Sequence, residues 1–275
     1  YGGADAPATM ALQDTVAGVG CVGRDTVQYT GTDVLFLSQT GLRSFGRTIQ
    51  EKSMPITSLS STITKDIIQL INEANEIYKS VYFPEENFYL ITFSNQDMTY
   101  CFDTKGTLEN GAYRVTRWPG TGFTAYERKD DGTLLIGGAH GLGNYSGYQD
   151  NGSSYPFKYF SPELSFGDPS KLKFLKKIRP TIVGGSGLDI LFKWDYDFGS
   201  AYNAAFITLS SQATAEFGVD EFNIGQFSSG ILTSKQAINA NGSGGTLSIG
   251  LETAINGGEL SLQEINILAL VGKTI

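Results

Sequence analysis

Four consecutive apolar residues, Val34 to Leu37, lie in the stretch DVLFLSQTGLRSF (Asp33–Phe45). The run is too short for a buried helix and too continuous for a strand with one face in water. Followed by Gln39-Thr40-Gly41 and a second strand-like piece, it predicts a hairpin whose first strand is covered on both sides. Similar pieces recur: Phe88–Phe93 (FYLITF) runs through a polar turn into Met98–Phe102 (MTYCF), and Leu134–Ile136 runs through Gly-Gly-Ala-His-Gly into Leu142–Tyr145. The 53 residues from Phe36 to Tyr89 and the 46 from Tyr89 to Leu135 fit the period of about 40–50 residues that marks β-propeller blades. A small sheet with two apolar faces needs a neighbour on each, and that need drives such units to stack.

Taken in order, residues 1–20 are small and polar and read as a linker or extended arm, and Cys21–Thr30 as a first strand with Val27 and Tyr29 on one face. Ile63, Ile67, Ile71, Ala74 and Tyr78 recur at steps of three and four, predicting one inserted helix over 63–78. Val81–Trp118 is the fullest blade, and Gly122–Phe160 repeats its order, with Phe157–Phe160 as the last strand. Asp130-Asp131-Gly132 and Asp150-Asn151-Gly152 predict tight hairpin turns, because Asp/Asn-Gly tolerates positive φ.

From residue 162 onward the pattern changes to long strands separated by Gly/Ser/Asn-rich loops. Strands are predicted at Lys171–Val183, Leu188–Asp197, Phe206–Leu209, Glu216–Ile224, Thr246–Glu252 and Leu260–Ala269. In the last of these, Leu260 and Leu262 share one phase while Ile265, Ile267 and Ala269 share the other, which predicts a bulge near Gln263-Glu264. The fold class is therefore all-β: interrupted propeller-like blades with one helix over residues 21–161, then a β-sandwich-like domain over 162–275.

Composition narrows the function. Only 17% of the chain is charged, while 17 Phe, 14 Tyr and 34 Gly suit many turns and a surface that meets other protein. A net charge of −8 gives the whole chain no affinity for phosphate backbones. Cys21 and Cys101 are expected to be buried free thiols. No apolar stretch approaches a membrane span and no signal peptide is visible, so no membrane anchor is expected.

Several segments together resemble the tail nozzle (tail tubular protein B) family of short-tailed, podovirus-like bacteriophages. They are Gly20-Cys21-Val22, DVLFLSQTGLRSF, the Ser/Thr-rich approach to Ile63, VYFPEENFYLITF, TLLIGGAHGLGNYSGY, SPELSFGDPSKLKFLKKI and LSLQEINILALVGK. The resemblance implies a virion structural protein with an interrupted propeller and β-domains, assembled as a homo-oligomeric ring, usually a hexamer. Its implied partners are further copies of itself, the tail adaptor or portal-proximal tail proteins, tail fibres, and viral DNA that passes through the channel without specific binding. Assembly in the host cytoplasm and residence in the virion tail follow. About three blade-like units are visible, fewer than the four to eight of a closed propeller. Either further blades precede Tyr1, which the non-Met start favours, or the blades form an open arc closed by other tail parts.

Chemistry-bearing residues are sparse. His140, the single histidine, lies in a turn with no serine motif around it, and reads as a turn residue. The acid pairs Glu85-Glu86 and Asp130-Asp131 read as solvated turns, and Asp195 with Asp197 as a wet strand face. No catalytic residue, cofactor or metal is expected. Lys171, Lys173, Lys177 and Arg179 are expected to share one strand face, with Lys176 on the other, and read as a solvated or partner-facing strand that balances the acidic remainder; the functional alternative is a subunit contact, with DNA contact third. The alternative reading is a receptor- or glycan-binding propeller, with Tyr145, Tyr148 and Tyr155 stacking on sugars. A glycosidase or depolymerase is the third reading.

Overall fold

The computed structural model describes residues 19–51, 58–185, 187–209, 233–234 and 236–274. Most of the expected arm, and the expected strand Glu216–Ile224, lie outside them. The chain is mostly β, built from several small sheets, and divides into two units between Tyr145 and Ser146.

The first unit holds three antiparallel meanders in succession. The first joins β1 (Gln28–Tyr29), β2 (Val34–Ser38) and β3 (Gly41–Ser44). Two helices follow, α1 (Phe45–Glu51) and α2 (Thr64–Ile71). The second meander is four-stranded: β4 (Tyr78–Phe83), β5 (Phe88–Phe93), β6 (Met98–Thr107) and β7 (Tyr113–Pro119). The third is β8 (Ala125–Arg128), β9 (Leu134–Gly138) and β10 (Gly141–Asn144). Phe36, Tyr89 and Leu135 each fall on the second strand of their meander, so the sequence period is a structural one.

The second meander shows why these sheets come in series. All six residues of β5 are buried, and alternation sends them to opposite sides. Tyr89, Ile91 and Phe93 pack with Leu35, Leu37 and Leu42 of the first meander and Ile67 of α2. Phe88 and Leu90 pack with Val81, Phe83 and Leu134, the last from the third meander. Each such side chain contributes about 1.5–3 kcal/mol by leaving water, and the sheet obtains this only with a neighbour on both faces. Thr92 adds its hydroxyl to a buried polar pair with Thr99 at 2.7 Å and Tyr126 at 2.5 Å. The Tyr89 hydroxyl donates to the Thr26 carbonyl at 2.8 Å, and burial pushes the ionisation of this phenol upward.

The expected helix over 63–78 is shorter. α2 ends at Ile71, Asn75 takes a left-handed φ of 60°, and Tyr78 opens β4 opposite Phe93. Sheet pairing and the edge-on packing of Tyr78 against Phe93 outweigh the helical spacing of Ala74 and Tyr78. Helix α1 was not legible as a helix. Its start is held from a distance: Asp33 Oδ1 accepts from the backbone N–H of Gly46 at 2.8 Å and of Val34 at 2.7 Å, while Ser44 donates to Oδ2 and itself accepts from Arg47 N at 3.1 Å. Asp33→Ala is expected to destabilise this unit by about 1–2 kcal/mol, because it strips the cap and leaves those donors unpaired. Denaturant unfolding followed through Trp118, the tryptophan of this unit, measures it. Cys21, expected to be buried, is exposed; both thiols are free.

The second unit begins with β11 (Tyr155–Phe160), expected to close the last blade. It pairs instead with β18 (Leu247–Ile255). Gly250 makes room for this, since a side chain there would collide with the Phe160 ring. The other strands are β12 (Lys171–Gly184), β13 (Asp189–Tyr196), β14 (Asn203–Thr208), β15 (Thr233–Ser234), β16 (Ile238–Asn239), β17 (Ser243–Gly244) and β19 (Leu260–Thr274). One sheet runs β11-β18-β13-β14; in the other, β12 pairs with β19 and with the short strands β15, β16 and β17. Both sheets supply one apolar cluster, with Leu175, Ile178 and Ile182 from β12 and Phe192, Trp194, Ile249 and Leu251 from β13 and β18. Leu247, Ile249 and Leu251 point the same way, as their alternation implied.

Candidate functional site

The basic strand β12 and its partner β19 form a long ribbon with three register shifts. Opposite Thr181 and Ile182 stand Glu264 and Leu262, so Gln263 is the extra residue of the expected bulge. It lets Leu260 and Leu262 on one side of it, and Ile265 and Ile267 on the other, all pack on the same core. A second shift sets Leu175 opposite Ala269 and Lys177 opposite Leu268, making Lys176 an extra residue on β12.

That second bulge overturns the expected basic face. Up to Leu175 the odd-numbered residues Lys173 and Leu175 point inward; beyond Lys176 the even-numbered Ile178, Pro180 and Ile182 do. Lys173 is only 4% exposed. Its ammonium donates to the Asp168 carbonyl and, at 2.7 Å, to the Gly245 carbonyl. Lys171 is exposed and ion-paired with Asp168 at 3.5 Å. Lys177 and Arg179 do point outward, in one row with Phe174, Leu268, Leu270, Asn266 and Glu264 across the ribbon. Arg179, Thr181, Glu264 and Asn266 also line a groove of about 450 Å³. The apolar members of this row were missed in the sequence. Leu268 and Leu270 stand in the opposite phase to Ile265, Ile267 and Ala269, and that was the available signal.

The three tyrosines do not form one set. Tyr145 belongs to the first unit, where it lies parallel to Trp118 with ring centres 6.4 Å apart and meets Phe83 and Phe88 edge-on. Its hydroxyl donates to Glu86 at 3.3 Å. Tyr148 and Tyr155 belong to the second unit. Burial, and then the neighbouring Tyr148, raise the ionisation of Tyr155.

Glu85, Glu86, Asp131 and Asp197 are engaged by local structure. Glu85 pairs with Arg128, which holds its carboxyl below the usual range. Asp131 accepts from Thr133 N at 2.8 Å within the β8–β9 turn. Asp195 and Asp197 do not share a strand face. β13 ends at Tyr196, and Asp197, at a left-handed φ of 52°, accepts from Gly245 N at 2.8 Å and Thr246 N at 2.9 Å. His140 lies exposed in the β9–β10 turn. The Cys101 thiol is pushed up to about 12 by burial, which keeps it protonated and a poor nucleophile at neutral pH. Among the described residues no group of three or more His, Cys, Asp or Glu is placed to hold a metal ion, and no helix is long and apolar enough to cross a membrane.

No family model matches the chain, and no curated protein matches it.

Proposed function

We propose that this chain is a structural component of the tail of a short-tailed bacteriophage, a nozzle or tail-tube protein that works by assembling. The observation that carries the reading is the order of its elements. Three consecutive meanders, broken after the first by helical segments, precede a unit of two sheets around one core. The resemblance to the tail nozzle family implies that same order. In this reading the meanders are blades of an interrupted propeller and the second unit is a β-sandwich. Copies join head to tail through contacts whose rotation closes into a ring, of six as the resemblance implies.

The ring surrounds the channel through which the genome leaves. A chain with net charge −8 suits that task, because a wall that gripped phosphates through released counterions would hold DNA back. Neighbouring tail proteins, the adaptor above and fibres at the side, are the remaining partners, and the virion tail is its location. Electron microscopy of the purified chain at micromolar concentration tests the reading. The expected result is a hollow coaxial ring; particles of single-chain size at every concentration would remove it.

A further inference from the structure

We propose that the outward row of the β12–β19 ribbon is the surface on which a second copy of this chain docks, through the acidic part of its own surface. The inference rests on the ring assembly proposed above and names the face that makes it. The row has an apolar half and a polar half in which the cations outnumber the one carboxylate, Glu264. Phe174, Leu268 and Leu270 are 38%, 38% and 61% exposed, and Phe174 stands directly across from Leu270. Lys177 and Arg179 continue the row, with Lys176 beside them on its bulge.

Among the described residues, none of these three cations makes an ion pair. Phe174, Leu268 and Leu270 lie close together in one row of the ribbon, and a cluster of large apolar side chains in water marks a surface that another molecule covers. Strand β19 adds a second reason. Among the described residues β12 is its one neighbour over a length of 15 residues, and an edge of that length presents a row of free backbone groups.

Charge decides which occupant fits. The chain carries −8 in all; Lys176, Lys177 and Arg179 less Glu264 leave this face +2, so the remainder carries −10. A second copy therefore offers this face mostly carboxylates, and like charge disfavours its docking elsewhere. Lys176, Lys177 and Arg179 offer ion-pair partners to those carboxylates, while Phe174, Leu268 and Leu270 supply the desolvated centre that carries most of an interface's energy. The contact joins unlike surfaces, as a closed ring requires.

Sedimentation velocity of the full chain at several concentrations, in low and high salt, tests this with three variants. Leu270→Asp and the double variant Lys177→Glu/Arg179→Glu are expected to weaken association at least tenfold. Leu142→Asp, at a side chain 73% exposed on β10, is expected to leave it unchanged. Circular dichroism and Trp194 fluorescence establish that each variant is folded. Folded Leu270→Asp and double variants that still assemble as wild type would overturn this surface and leave the ring reading standing; a wild-type chain that never associates would overturn both. Equal weakening by Leu142→Asp, or a row that retains a duplex DNA fragment in place of a second copy, would also overturn it.

Discussion

Gly184→Ala is expected to cost the second unit about 4 kcal/mol, a large share of the 5–15 kcal/mol that holds a typical domain together. Gly184 ends β12 at a left-handed φ of 80°, a conformation that costs a residue with a Cβ about 1–2 kcal/mol. The added methyl would also press on the backbone carbonyl of Glu259, which already accepts from Gly185 N at 2.6 Å. Because that obstacle is backbone, the ribbon end must shift, and overpacking of this kind costs a further 1–3 kcal/mol or so. Gly187→Ala is the control, since Gly187 has a similar φ of 76° with nothing within 4 Å of a built Cβ. It should cost only about 1–2 kcal/mol. Guanidinium unfolding read through Trp194, the tryptophan of this unit, separates the two. Equal midpoints would mean that the Glu259 carbonyl does not crowd Gly184.

Lys173→Ala is expected to lose about 3 kcal/mol by the same measurement, whereas Lys177→Ala should stay within about 0.5 kcal/mol. The Lys173 ammonium is buried and donates to two backbone carbonyls, those of Asp168 and Gly245. A hydrogen bond to a charged group contributes about 1.5–3 kcal/mol, and truncation leaves both acceptors short of a donor inside the protein. The stem of Lys173 packs as well, so its loss opens a small void. A silent Lys173→Ala would put this side chain in water with Lys177.

The contrast between these lysines shows what the sequence could and could not convey. Alternation was legible wherever pairing is regular: β5 read as covered on both faces, and Leu247, Ile249 and Leu251 as one inward set. It failed at Lys176 because one extra residue on β12 reverses the phase, and nothing in KLKFLKKIRP marks which residue is unpaired. The bulge at Gln263 was legible because two apolar sets in conflicting phase lay on either side of it. Helix α2 was overextended because Ala74 and Tyr78 happened to continue its spacing, while long-range pairing with Phe93 took Tyr78 into the sheet. Strand β11 was joined to the wrong unit for a related reason: its partner β18 lies about 90 residues further on, beyond the reach of local pattern.

The candidate site was half visible. Lys177 and Arg179 were found from charge, but the apolar residues beside them escaped notice, being indistinguishable in composition from core residues. Tyr145 illustrates the reverse error, since an aromatic at a loop end is as well suited to filling the Phe83–Phe88–Trp118 cluster as to greeting a ligand.

The unpaired Gln263 has an implication for how this ribbon can change over time. Because side chains swap sides with every residue, losing that single position would send Leu260 and Leu262 to the solvent or bring Asn266, Leu268 and Leu270 into the interior. Insertions and deletions along β19 are therefore tolerated only in even steps or when matched on β12. The same parity lock that keeps the interior dry also fixes which residues the ribbon shows to the outside.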